Sequence, residues 1–262
     1  PSLYVRRVLN PAYVYLHKAN GANEVAGGVT SPRKTSSGMA PLAFMQGMRA
    51  AHAKLDAYAQ NPYPGSPRET PYVDPCSWCR TFTMAHLTTI RADVTRYFGA
   101  STPIWLTEYG YQTNPPDRLL GVSPALQAAY IDQAALRVYR QAGVTMLINF
   151  MVRDDSSGEG WQSGFFTAGG TPKPSYRAFG LPLAQVSRTG TRTIVWGEVR
   201  PGSGRRTYML ERWTGTGWAT VGGAMRTNAV GAFQRTIAAH AGQKLRVVSP
   251  SVGYPSVTLR IS

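Results

Sequence analysis

At 262 residues, 43% hydrophobic and 16% charged, the chain has the material for one large or two smaller cores and does not read as disordered. Its net charge of +15, from 28 basic and 13 acidic residues, is spread without runs of like charge, so it reads as a solvated surface and no nucleic-acid partner is expected. No stretch of roughly 18 apolar residues is present, which argues against a membrane-spanning helix; nor is there a signal peptide at Pro1-Ser2-Leu3-Tyr4, a start that reads as a mature or truncated product.

In chain order, Val5, Val8, Tyr13, Leu16 and Ala19 recur at helical spacing, predicting a helix from Tyr4 to about Asn20 with a break or kink at Pro11. Glu24 to Val29 reads as a short buried strand. Pro41 to about Leu55 is a helix with Leu42, Met45 and Met48 on one face. Asp56 to Tyr63 is the next strand, followed by a long Pro-rich loop through Cys79. Phe82 to Phe98 is a helix, and Pro103-Ile104-Trp105-Leu106-Thr107-Glu108 a buried strand closed by Tyr109-Gly110. Ser123-Pro124, a capping residue and a first-turn proline, opens a helix to about Ala142. Val144 to Phe150 is the clearest strand of all. Strands alternating with helices predict βα units on a parallel sheet.

Beyond Leu181-Pro182 the pattern changes. From Thr193 short alternating strands (194–199, 208–213, 218–225, 233–237, 245–248, 257–261) are separated by Gly-rich turns, which predicts a small β-sandwich of the immunoglobulin or fibronectin kind. The expected division is 1–182 and 183–262. The second part holds 11 basic residues against Glu198 and Glu211, a net +9.

Chemistry concentrates at Glu108. A carboxylate at the tip of a buried parallel strand sits where barrel enzymes do their work, although an ion-pair or capping role fits the same residues. Cys76 and Cys79 lack the further ligands a zinc site needs and lie in a loop, which favours a local disulfide in an exported protein over a pair of reduced thiols. No two of the four histidines stand at metal-ligand spacing, and neither a metal nor a cofactor is expected.

Trp105-Leu106-Thr107-Glu108-Tyr109-Gly110 resembles the seventh strand of clan A retaining glycoside hydrolases, such as families 39 and 5. Ala59-Gln60-Asn61-Pro62-Tyr63 resembles the end of their sixth strand, with Asn61 where relatives often carry His. Gly164-Phe165 and Lys173-Pro174-Ser175-Tyr176-Arg177-Ala178-Phe179 resemble the close of the eighth unit. The resemblance runs from about Tyr4 to Phe179 and covers only the second half of a barrel. It implies an α/β fold, a partial (β/α)8 TIM barrel of strands five to eight, followed by the all-β sandwich.

The resemblance also implies roles. Glu108 would be the catalytic nucleophile of a double displacement on O-glycosyl bonds, and Tyr63 can donate a hydrogen bond to it or serve as a core aromatic. Asn61 can bind a sugar hydroxyl or cap the strand. Trp161 can stack on a sugar or anchor its loop. Asp154 can hold a hydroxyl or pair with Arg153. Such an enzyme needs a second carboxyl about 5–5.5 Å from the first. The family's Asn-Glu-Pro acid/base motif is not in this chain, and Glu24 stands at the wrong end of its strand. The motif and strands one to four are therefore expected upstream of Pro1, in the same or a separate chain, and the 262 residues are expected to be inactive alone. The alternatives are a non-catalytic carbohydrate- or cell-wall-binding module and a basic structural or nucleic-acid-binding protein. An oligo- or polysaccharide is the expected partner and secretion the expected fate.

Overall fold

The computed structural model describes residues 1–76, 78–157 and 160–262; Ser77 of the cysteine motif lies outside this set. The elements are helix α1 (Ser2–Tyr4), a π-helical turn (Val5–Leu9), α2 (Asn10–Ala19), strand β1 (Ala26–Gly28), α3 (Pro41–Ala50), β2 (Ala57–Gln60), a 3-10 turn (Met84–His86), α4 (Leu87–Phe98), β3 (Ile104–Tyr109), α5 (Pro124–Arg140), β4 (Val144–Asn149) and α6 (Pro174–Gly180). Then follow β5 (Leu183–Thr189), β6 (Arg192–Glu198), β7 (Thr207–Trp213), β8 (Trp218–Thr220), β9 (Met225–Arg226), β10 (Ala232–Ala238), β11 (Lys244–Val248) and β12 (Leu259–Arg260). The chain forms two compact units, Pro1–Tyr111 with Arg137–Phe150, and Gln112–Leu136 with Met151–Ser262.

The first unit contains a four-stranded parallel sheet in the order β1-β2-β3-β4. Gly27, Tyr58 and Ile104 are laterally paired and share one face. That face is covered by helices: Tyr58 stacks on Phe98 of α4 at 5.8 Å between ring centroids. A Cβ on Gly27 would come 2.7 Å from Leu9 Cδ2, so glycine lets the first helix approach β1 closely. Val5, Leu9, Val25 and Met48 form the core there. Pro11 follows a change of helix type. The helix widens before it: Asn10 N–H bonds Val5 O, five residues back, and Pro11, which has no N–H to donate, falls in the first turn of the α-helix that follows.

Helix α3 stops at Ala50, short of the Leu55 that its composition suggests. His52 adopts a left-handed φ of 57° and Ala53 N–H returns to Met48 O at 3.1 Å. The Asn10 side chain holds this turn, donating to His52 O and accepting from Lys54 N–H at 2.8 Å. Strand β4, the most apolar run in sequence, is only partly covered. It ends the sheet, and Thr145 and Ile148 are exposed.

At the N-terminal end of β2, Asp56 accepts hydrogen bonds from Val25 N–H (2.7 Å), His17 Nε2 (2.8 Å) and Tyr13 Oη (3.4 Å). Burial alone would raise its pKa; the Val25 amide, then His17 and Tyr13, outweigh burial and lower it below the ordinary 3.8. A depressed folded-state value stabilises the fold above the unfolded value, and this contribution disappears as pH falls through the folded one. Asp56→Asn is therefore expected to lower stability at neutral pH, with the gap to the parent closing below pH 3.8. Urea unfolding at several pH values measures this; a gap independent of pH contradicts it.

In the second unit, α5 opens as the sequence suggests, with Pro124 first and Ser123 Oγ accepting Leu126 N–H at 3.2 Å. Two antiparallel sheets follow, one in the order β10-β6-β5 and one in the order β12-β11-β7-β8, with β9 also paired to β7. Leu183, Val195, Tyr208, Leu210, Leu245 and Val247 fill their core. β5 lies outside the expected strand set, which starts at Thr193.

Candidate active site

The C-terminal ends of three neighbouring parallel strands deliver side chains to one place. Glu108 is the penultimate residue of β3 and is half-buried. Tyr63, three residues beyond β2, donates from its hydroxyl to Glu108 Oε2 at 3.1 Å. Phe150, one residue beyond β4, meets the Tyr63 ring edge-on at 6.4 Å between centroids and bonds Tyr109 O through its N–H. Asn61 bonds the residue of β3 that precedes Glu108: Thr107 Oγ1 donates to its Oδ1 at 2.7 Å. Tyr63 and Glu108 are thus brought into contact, while Asn61 meets Thr107.

Burial, then the charge and hydrogen bond of Glu108, push the Tyr63 pKa far above the ordinary phenol value. The hydroxyl stays protonated and remains a donor across the physiological range. Its direction toward one carboxylate oxygen leaves the other to other partners. A donor aimed at a carboxylate acts on it through orientation and charge. Tyr63→Phe, in a protein that turns over glycosides, is expected to lower kcat/KM about tenfold or more, the worth of a hydrogen bond to a charged group. An unchanged kcat/KM assigns Tyr63 to packing alone.

Sequence reasoning missed the residues that hold this arrangement. Arg33 donates to Tyr63 O at 3.2 Å and pairs with Glu69, whose side chain is buried. Glu69 also accepts Gly65 N–H at 2.8 Å, and its backbone oxygen takes the Tyr111 hydroxyl at 2.8 Å. The loop after β2 is thus tied from both sides in the absence of helix or strand. Further along it, Asp74 accepts from Cys76 N–H and from Thr81 Oγ1, and a disulfide joins Cys76 to Cys79. Trp78, between these cysteines, is 85% exposed. Arg33 and Glu69 lie 36 residues apart, and no local pattern pairs them.

Asp154 and Trp161 belong to the second unit and have their own surroundings. Asp154 does not pair with Arg153. It is buried, and Lys173 Nζ reaches both carboxylate oxygens at 2.9 Å, while Gly164 N–H donates to Oδ1. Lys173 completes its shell with Thr113 Oγ1 and Gln162 O. Burial lowers the Lys173 pKa and Asp154 acts against it. A carboxylate so occupied has little left to offer a sugar hydroxyl. Asp155 holds the Trp161 main chain at both its peptide groups: Asp155 N–H donates to Trp161 O, and Trp161 N–H donates to the Asp155 side chain at Oδ2. The Trp161 residue as a whole is 39% exposed.

Among the described residues, no group of three or more His, Cys, Asp or Glu is placed to hold a metal, and no helix is long and apolar enough to cross a membrane.

No family model matches the chain, and no curated protein matches it in sequence. Solved structures do. A family 39 glycoside hydrolase from Xanthomonas axonopodis pv. citri is 12% identical, with 99% of this chain and 64% of that one covered, at a TM-score of 0.48. An endo-beta-1,3-glucanase of family 128 from Amycolatopsis mediterranei, solved with laminaritriose, is 19% identical over 65% of this chain and 64% of that one, at 0.42. A family 2 beta-galacturonidase from Eisenbergiella tayi is 13% identical over 67% of this chain and 29% of that one, at 0.46. The chain spans less than two thirds of the length of each. All three are glycoside hydrolases, and the identities lie below those at which an activity follows from likeness.

Proposed function

We propose that this chain supplies the nucleophile half of a retaining glycoside hydrolase. In this reading residues 1–182 are the second half of a (β/α)8 barrel, β1 to β4 stand for its strands five to eight, and residues 183–262 are an appended β-sandwich. The observation that carries it is the Tyr63 hydroxyl donating to Glu108 Oε2 at 3.1 Å, at the C-terminal ends of adjacent parallel strands. That is the end of a parallel barrel at which chemistry takes place. The sequential, all-parallel strand order supports the same reading.

In the reaction, a Glu108 oxygen attacks the anomeric carbon as the bond to the leaving oxygen breaks. An acid from the other half protonates that oxygen, then as base takes a proton from water, which displaces Glu108. Tyr63 holds the carboxylate in the attacking orientation throughout. Four other carboxylates of the first unit are engaged elsewhere, Asp56 with His17, Glu69 with Arg33, Asp74 with Thr81 and Asp93 with Arg80, and Glu24 precedes β1, at the opposite end of the parallel sheet from Glu108. The acid/base therefore comes from outside these residues. The substrate is an oligo- or polysaccharide, and the clasping disulfide supports an oxidising, extracellular setting.

A 2-deoxy-2-fluoroglycoside that traps the glycosyl-enzyme tests the assignment. In a protein holding both halves, peptide mass spectrometry should find the label on Glu108. Labelling of another residue rejects Glu108 as nucleophile. The 262 residues alone should not turn over aryl glycosides; turnover abolished by Glu108→Gln rejects the half-site reading.

A further inference from the structure

The second unit holds a cleft of about 500 Å³, within the roughly 300–1,000 Å³ typical of small-molecule sites. Ala128 and Ala129 of α5 hollow out part of its wall, and Leu183 and Val257 keep the rest apolar. Asp132, one turn beyond Ala128, also lines it and is 5% exposed. Its Oδ1 accepts Leu183 N–H at 3.2 Å. Among the described residues, no hydrogen bond is made to its Oδ2. The nearby Arg200 guanidinium is committed to Glu198 and to Phe179 O. The remaining charge of the cleft is the exposed Arg260.

A buried carboxylate is costly unless a cation meets it at close range. Burial pushes the Asp132 carboxyl well above 3.8, with the Leu183 amide and the Arg200 charge acting against it. Apart from Asp132, Arg260, Gln133 and Thr258 the lining is apolar, and its small side chains leave room for a hydrocarbon body. Arg260 disfavours a ligand that carries a second positive charge.

We propose that this cleft binds a small organic monoamine, its ammonium donating to Asp132 and its hydrocarbon body lying against the alanine wall of α5. The site is independent of Glu108 and of any glycosidase activity.

Calorimetric titration of the 262-residue chain with n-butylammonium, n-butanol and 1,4-diaminobutane tests it. The monoamine should bind saturably, and the alcohol and diamine about tenfold more weakly or worse. Asp132→Asn keeps an acceptor for Leu183 and should weaken monoamine binding about tenfold or more. Ala129→Leu fills the cleft and should abolish binding while the circular dichroism spectrum is kept, which decides the matter where Asp132→Asn does not fold. Equal binding of butanol and butylammonium, undiminished binding by Ala129→Leu, or no saturable binding at all overturns the proposal.

Discussion

Glu108→Gln, in a protein carrying both halves of the barrel, is expected to lower kcat by about four orders of magnitude, as removal of one member of a catalytic group does elsewhere. Glutamine keeps the size of the side chain and an oxygen that can accept from Tyr63, so the 3.1 Å contact and the fold survive. What disappears is the negative charge and the ability to form and release a bond to the anomeric carbon. Loss of activity alone would also follow from a carboxylate that merely orders its neighbours. Glu108→Gly separates the two cases. It opens a space at the end of β3, and added azide should enter it, attack the sugar and restore turnover as a glycosyl azide. A structural carboxylate gives no such rescue. An E108Q protein with kcat within tenfold of the parent removes Glu108 from the chemistry.

Lys173→Met should have the largest effect on stability, about 3–5 kcal/mol, because it leaves the buried Asp154 charge without its cation. Both members of the pair have about 5% of their side chains exposed, so water cannot replace what is removed. The loss reaches further than one ion pair. Lys173 also ties Thr113 and Gln162, which come from distant parts of the sequence. Asp154→Ala should cost a comparable amount for the mirrored reason. The double variant should be destabilised by less than the sum, because no unpaired charge is left behind. Urea unfolding measures all three through midpoint shifts at constant slope. A Lys173→Met variant within 1 kcal/mol of the parent, on the scale of exposed pairs, would show that the pair is hydrated in solution.

Local pattern carried much of the first unit and the start of α5 in the second. Alternating strands and helices, the Ser123-Pro124 start and the placing of Glu108 at a strand tip could be read directly, because each depends on residues within one or two turns. The failures share a cause. Helix α3 ends early because the Asn10 side chain, some 40 positions away in sequence, holds the turn after it. Asp154 meets Lys173 rather than the adjacent Arg153, since the chain folds a cation onto it from 19 residues downstream. Strand β5 was missed because its second half, Ser187 to Thr189, is polar or exposed and its ladder to β6 is irregular between Gln185 and Ser187. The Arg33–Glu69 tie beneath Tyr63 has no sequence signature at all. Long-range pairing of polar groups is decided by tertiary structure, and a periodicity in apolar residues does not report it.

The wide turn before Pro11 divides the opening helix into halves with different obligations. Val5 and Leu9 are fully packed, whereas no residue from Asn10 to Ala19 is fully buried. Substitutions on the far side of the proline, Tyr13 and His17 apart, should be tolerated freely, while Val5 and Leu9 admit little beyond a similar shape. Leu9, the last buried position of the opening helix, thus marks where its packing against the core ends.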